Sequence, residues 1–219
     1  MICASITEKT ITSMVRIANK VNADLVELRL DFLRKFDKLD KISKIKKPVI
    51  ATCMPVWEGG RFKKSEEKRI KILKQSLDFV NYVTIELKTK PFLQSKLIKK
   101  ARRKKVKVIV AFHNFEKTPS KNEILKIIDK EKKIGDIAKV AFMPKNNLDV
   151  LNLMNALLTR KKTKVIALSM GKLGRVSRVL APIFGSYLTY GSVSRGREAG
   201  PGQLTVDELT SILSTFNRK

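Results

Sequence analysis

Asp136-Ile137-Ala138-Lys139-Val140-Ala141-Phe142-Met143 has the length and composition of a buried strand, with one lysine in its middle. A charged ammonium there is costly unless it is paired, and desolvation favours the neutral amine, the form that attacks a carbonyl. Such a site suits Schiff-base chemistry. Seven similar runs accompany it: Ile2 to Ile6, Asp24 to Leu30, Val49 to Cys53, Tyr82 to Leu87, Val106 to Phe112, Lys164 to Ser169 and Leu188 to Gly191. Between them lie segments with apolar residues at helical spacing, such as Ile70, Leu73, Leu77 and Val80, or Ile124, Ile127, Ile128 and Ile134. Helix and strand therefore alternate. Continuous apolar strands separated by helices imply a parallel sheet covered by helices, and eight such units imply an α/β protein closed into a (β/α)8 TIM barrel. At 219 residues, without linker or low-complexity tract, the chain is expected to form a single domain over residues 1–219.

Composition narrows the setting. Cys3 and Cys53 lie in apolar strands without CxxC spacing, which points to buried free thiols in a reducing compartment. The opening Met1-Ile2-Cys3-Ala4-Ser5 runs into a strand with no basic or long apolar leader, and no run reaches the ~18 apolar residues of a membrane span. A cytoplasmic protein with no membrane partner is expected. The net charge of +27 suggests nucleic acid, but the placement of the charge argues against it. The clusters Lys44 to Lys47, Lys99 to Lys105, Lys130 to Lys133 and Arg160 to Lys162 each fall where a helix ends before the next strand. There the helix dipole favours cations, on the barrel face opposite the active site. No nucleic-acid partner is expected, and the positive field suits an anionic small substrate.

Chemistry belongs at the C-terminal ends of the strands. In the second strand Glu27, Arg29 and Asp31 alternate with Val26, Leu28 and Leu30, so the charges face the lumen, as ligand groups or as an internal ion-pair network. Arg29 offers a planar fork for a carboxylate or diol. The only histidine, His113, follows the fifth apolar run, beside the strand of Lys139, where imine chemistry needs a proton shuttle. Glu58-Gly59-Gly60 follows the third strand; Glu58 is either an exposed turn glutamate or a carboxylate aimed back over the mouth to orient His113. The glycine turn from Ser169 to Arg178 could present amides to an anion, although its spacing is neither a P-loop nor a dinucleotide fingerprint. Ser192 to Gln203, rich in glycine and arginine, has the character of a lid.

Taken together, Glu27-Leu28-Arg29-Leu30-Asp31, Glu58-Gly59-Gly60, His113-Asn114-Phe115, Lys139 with Met143-Pro144, Ser169-Met170-Gly171 through Ser177-Arg178, Phe184-Gly185-Ser186 and Gly200-Pro201-Gly202-Gln203 resemble the type I 3-dehydroquinate dehydratases of the shikimate pathway. The resemblance spans essentially the whole chain. It implies a homodimeric barrel enzyme, without metal or organic cofactor, that converts 3-dehydroquinate to 3-dehydroshikimate and water. It also implies that Lys139 is the Schiff-base lysine, His113 the general acid/base and Glu58 the group that positions the imidazole. Arg178 would pair with the substrate carboxylate; Glu27, Arg29 and Gln203 would hold its hydroxyls, with Ser5 and Ala199 as further contacts and Tyr190 and Met170 as pocket walls.

Two departures stand out. Met54 occupies a position that is arginine in many members, and Ala199 one that is a lid serine. The lid is also about two residues longer, so Arg61, Arg195 or Arg197 could supply the missing cation. Two rivals share some features. A class I aldolase barrel would share the strand-six lysine but would not need the Glu58-Gly59-Gly60 and Gly200 to Gln203 segments, and an RNA-binding protein gives no reason for a buried Lys139.

Overall fold

The computed structural model of the chain describes residues 1–160 and 162–216. It runs β1 (Ile2–Ile6), α1 (Ile11–Lys20), β2 (Leu25–Arg29), β3 (Val49–Thr52), α2 (Glu66–Ser76), β4 (Tyr82–Glu86), α3 (Pro91–Arg103), β5 (Lys107–Asn114), α4 (Lys121–Ile134), β6 (Ile137–Phe142), α5 (Asn147–Thr159), β7 (Val165–Ser169), α6 (Gly171–Gly174), α7 (Ser177–Ile183), β8 (Thr189–Ser192) and α8 (Val206–Phe216). The strands pair in parallel in the order β7-β6-β5-β4-β3-β2-β1-β8, a nearly closed TIM barrel. At the seam between β7 and β8, Tyr187 N–H donates to the Val165 carbonyl at 2.7 Å. Beside it, the Ser186 hydroxyl donates to Leu188 O at 2.9 Å and accepts from Ala167 N–H at 3.3 Å, standing in for ladder bonds.

Two features differ from the sequence expectation. Between β2 and β3 the described residues form short 3₁₀ turns, Leu30–Phe32 and Leu39–Lys44, in place of an α-helix. Asp31 therefore lies beyond the end of β2, in the first turn, and not on the strand with Glu27 and Arg29. Strand β5 runs longer than its apolar stretch and carries His113 and Asn114 within it. Helix ends follow local rules: Ser65 caps α2, which has Glu66 and Glu67 in its first turn, and Ser120 with Glu123 forms a reciprocal capping box on α4. The basic clusters lie at or just beyond the C-termini of Leu39–Lys44, α3, α4 and α5, with Lys161 outside the described residues. Among the described residues no helix is long and apolar enough to cross a membrane.

Outward strand residues such as Val26, Leu28, Val83, Ile85, Val140 and Ala167 pack beneath the helices. Inside, Cys3, Leu25, Ile50, Ile109, Ile137, Ile166 and Leu188 fill the lower lumen. Below that layer the Tyr82 and Tyr187 hydroxyls meet at 3.0 Å. The polar inward residues stand above this floor, at the C-terminal ends of the strands.

Candidate active site

Lys139 points from β6 into the central cavity and is buried, with 6% of its surface exposed. Its ammonium is paired: Nζ lies 3.5 Å from Glu27 Oε1 and 4.1 Å from the centre of the Tyr190 ring. Glu27 is fixed in turn by Thr52 Oγ1, which donates to Oε1 at 2.9 Å, and by Ser5 Oγ, which donates to Oε2 at 3.1 Å. Burial alone would raise the Glu27 pKa. The cationic Lys139 and Arg29, with these hydroxyl donors, outweigh that and hold the carboxylate below its usual range. Both Glu27 oxygens are thus engaged by the protein before any substrate hydroxyl approaches.

Register places His113 two residues above the neighbour of Lys139: β5 and β6 pair Ala111 with Lys139 and His113 with Ala141. Side chains two apart on a strand share a face, so imidazole and amine open on the same cavity. Glu58 lies behind the imidazole and does not line the cavity. One oxygen, Oε2, receives the His113 backbone N–H at 2.7 Å and lies 2.9 Å from ring Nδ1. Burial, with the nearby Lys139 and Arg29 charges, pushes His113 down to about 3, so the ring is neutral at neutral pH. With Glu58 ionised, Nδ1 carries the proton, leaving the Nε2 lone pair for chemistry. Glu58 is the buried alternative of the two sequence readings. The chain can double back there because Gly59 adopts φ +82° and Gly60 packs on the Met54 carbonyl, where an added Cβ would sit 2.1 Å from the oxygen.

Arg29 differs from a free fork. Its Nε and Nη2 donate to the two oxygens of Asp31 at 2.9 and 2.7 Å, while Nη1 reaches Ala199 O at 3.2 Å. Arg178 is 3% exposed and has no carboxylate partner among the described residues. It donates to the carbonyls of Gly202, Pro201 and Tyr190 at 3.0, 3.1 and 3.4 Å, and burial with Arg175 nearby lowers it to about 10. The lid lies over the mouth and is pinned at several points. Gln203 Nε2 donates to Ser5 Oγ at 3.3 Å, and Gln203 Oε1 accepts from Ala199 N–H at 2.7 Å. Gly171 N–H donates to Pro201 O, so the turn after β7 gives that amide to the lid and not to an anion. Of the three loop arginines, Arg195 pairs with Glu208, Arg197 with Glu8, and Arg61 rests on the Phe32 ring at 4.3 Å beside the mouth.

Of the nine sequence-derived site residues, Lys139, His113, Glu27, Arg29, Arg178, Gln203, Ser5 and Ala199 line one cavity, with Glu58 behind His113. Thr52, Thr84 and Glu86 also line it and were missed, although period-two alternation along β3 and β4 marks them as inward.

Residues 2–219 match the family model described as type I 3-dehydroquinase. The chain belongs to the type I 3-dehydroquinase family. A 3-dehydroquinate dehydratase of Methanococcus maripaludis is 37% identical to it over 99% of this chain and 100% of the relative. One from Methanobrevibacter smithii is 42% identical over 88% of this chain and 84% of the relative. The crystal structure of type I 3-dehydroquinate dehydratase from Clostridium difficile, with covalently modified comenic acid, superposes with a TM-score of 0.88 at 30% identity, covering 98% of this chain and 91% of that one.

Proposed function

We propose that this type I 3-dehydroquinase removes water from 3-dehydroquinate to give 3-dehydroshikimate, through a Schiff base on Lys139. The observation that carries the proposal is a buried amine beside a neutral imidazole that is itself backed by a carboxylate. Lys139 gives its ammonium proton to His113 and the free amine adds to the ring ketone; His113 returns the proton to that oxygen, which leaves as water, and an iminium remains. The iminium acidifies the adjacent carbon, because the electron pair released by its proton is delocalised as an enamine. His113 Nε2 removes this proton, with Glu58 stabilising the imidazolium. The enamine then expels the β-hydroxyl, which leaves as water with the proton from His113, and a second water hydrolyses the product imine. Arg178, buried with no carboxylate partner among the described residues, is the partner for the substrate carboxylate; Glu27, Arg29 and Gln203, with Ser5, are the groups to hold its hydroxyls. The aldolase rival gives no account of Glu58 behind His113. An RNA-binding role leaves the cavity without purpose.

The test is the rise of the conjugated enone in the ultraviolet on adding 3-dehydroquinate. Lys139→Met should lose at least about 10³-fold in kcat; wild-type turnover in that variant would reject the covalent route.

We further infer a cytoplasmic homodimer formed by one domain spanning the chain, acting in the shikimate pathway of aromatic amino acid biosynthesis. Support for the dimer comes from α5, whose thirteen residues include no lysine or arginine in a chain with 47. It exposes Leu148, Leu151 and Leu158. A face without cations that exposes leucines lets two copies of so cationic a chain meet without repulsion. Sedimentation should give twice the monomer mass, reduced to one by Leu151→Lys.

A further inference from the structure

Behind the Glu58–His113 pair lies a buried cation that the proposed chemistry does not use. Arg69 on α2 is fully buried, the largest such side chain among the described residues, and all five of its N–H donors are engaged. Nε and Nη2 donate to the two oxygens of Glu66 at 2.9 and 2.8 Å, and Nη2 also to Thr89 Oγ1 at 2.9 Å. Nη1 donates to Cys53 O at 3.2 Å and to Glu86 Oε2. The guanidinium carbon lies 5.9 Å from the centre of the Trp57 ring, the residue next to Glu58. One side chain thus joins the residue after β3, the Glu58 turn, the end of β4 and the loop leading into α3. Glu86, at the end of β4, lines the active cavity, and Gln94 Nε2 caps its carbonyl at 3.1 Å.

The second oxygen of Glu58, Oε1, is buried without a hydrogen-bond partner among the described residues. A carboxylate in that position needs nearby positive charge to stay ionised. The charged and titratable groups around it are Arg69, Lys88, His113, Glu86 and Glu131; Arg69 itself faces Glu66, Glu86 and the Cys53 thiol.

We propose that Arg69 is a positioning residue for the acid/base step: it holds the Glu58 turn and the Glu86 strand end as one unit and, together with Lys88, supplies the charge that keeps Glu58 ionised against His113. The proposal rests on the acid/base role of His113 and adds the group that sets it. In support, burial pushes Glu58 and Glu86 each up to about 7, Glu58 against the pull of His113 N–H, Lys88 and Arg69, and Glu86 against that of Arg69. Both carboxyls titrate where a small change in local charge decides their state.

The test compares Arg69→Gln, Arg69→Lys and Glu86→Gln with the wild type by kcat, KM and the pH profile of kcat/KM, with circular dichroism to verify folding. Arg69→Gln should lower kcat by about a hundredfold with KM little changed, since misplacement of the acid/base group and not of the substrate is at issue. Its acidic limb should move to higher pH, because Glu58 then keeps its proton longer. Glu86→Gln, which leaves Arg69 bonded to Glu66, Thr89 and Cys53, should move the limb the opposite way. Arg69→Lys keeps the charge but not the fork, and should lower kcat with the limb in place. An unmoved limb in Arg69→Gln overturns the assignment, as does full activity in that variant. Should Arg69→Gln fail to fold, an unmoved limb in Glu86→Gln overturns it alone. Absence of enone formation by the wild type would instead condemn the underlying reaction.

Discussion

Going up the lumen, six of the eight strands change character within two to four residues. Cys3 gives way to Ser5, Leu25 to Glu27, Ile50 to Thr52, Tyr82 to Thr84 and Glu86, Ile109 to His113, and Ile137 to Lys139. The lower layer is a dry apolar plug, and each such side chain buried contributes roughly 1.5–3 kcal/mol to stability. The upper layer is a network of ions and hydroxyls whose desolvation offsets most of its attraction. One barrel therefore separates holding the fold from doing chemistry by height alone, and β5 and β6 carry both, with Ile109 and Ile137 in the floor and His113 and Lys139 above them.

Substitutions in the two layers should behave in opposite ways. His113→Ala, in the upper layer, should lower kcat by about 10²- to 10⁴-fold while leaving the melting temperature close to that of the wild type. Steady-state kinetics and a thermal melt check both halves, and a large loss of stability would erase the contrast. Ile109→Ala, in the same strand but on the floor, should cost about 2–5 kcal/mol in denaturant unfolding. Its kcat should stay within about threefold, as sites without shared partners act independently.

A third substitution lies outside both layers. Glu131 on α4 is fully buried, with neither carboxylate oxygen within hydrogen-bonding geometry of a partner among the described residues, and burial, reinforced by Glu58, pushes its pKa well above the usual carboxylate value despite the nearby Lys139 backbone N–H and ammonium. A raised folded-state pKa means that the native state binds the extra proton. Its contribution is complete below the unfolded pKa of about 4.3 and is lost as pH rises toward the folded-state pKa. Glu131→Gln should therefore flatten the fall of melting temperature with rising pH above 5; an unchanged slope would mean that Glu131 is ionised and paired. The smallest effect concerns the cation absent at Met54. Among alanine variants of Arg61, Arg195 and Arg197, only Arg61→Ala should lower kcat/KM, by about tenfold, as the other two are held by Glu8 and Glu208. Wild-type specificity constants in all three would reject compensation.

The barrel is legible in the sequence because apolar runs of strand length recur between helical spacings, and tertiary context adds little to that signal. The unit after β2 is the exception: Leu30 to Pro48 carries basic and acidic residues at short intervals with no sustained amphipathic stripe, and it folds as 3₁₀ turns. Within the site, Lys139 and His113 stand out as single polar residues in or after apolar runs. The employment of Arg29 and Arg178 does not, since a sequence lists donors without showing that Asp31 or the carbonyls of Pro201 and Gly202 accept from them. Arg69 is hidden for a different reason: an arginine in Glu66-Glu67-Lys68-Arg69 has the pattern of a solvated helix face, and only the packing of α2 over β3 and β4 turns it inward.

The most direct measurement is borohydride reduction of the protein during turnover of 3-dehydroquinate, followed by peptide mass mapping. A single adduct on the peptide carrying Lys139 is the predicted result, retained in His113→Ala. Full dehydration with no adduct at Lys139 would contradict the Schiff base at the centre of the mechanism.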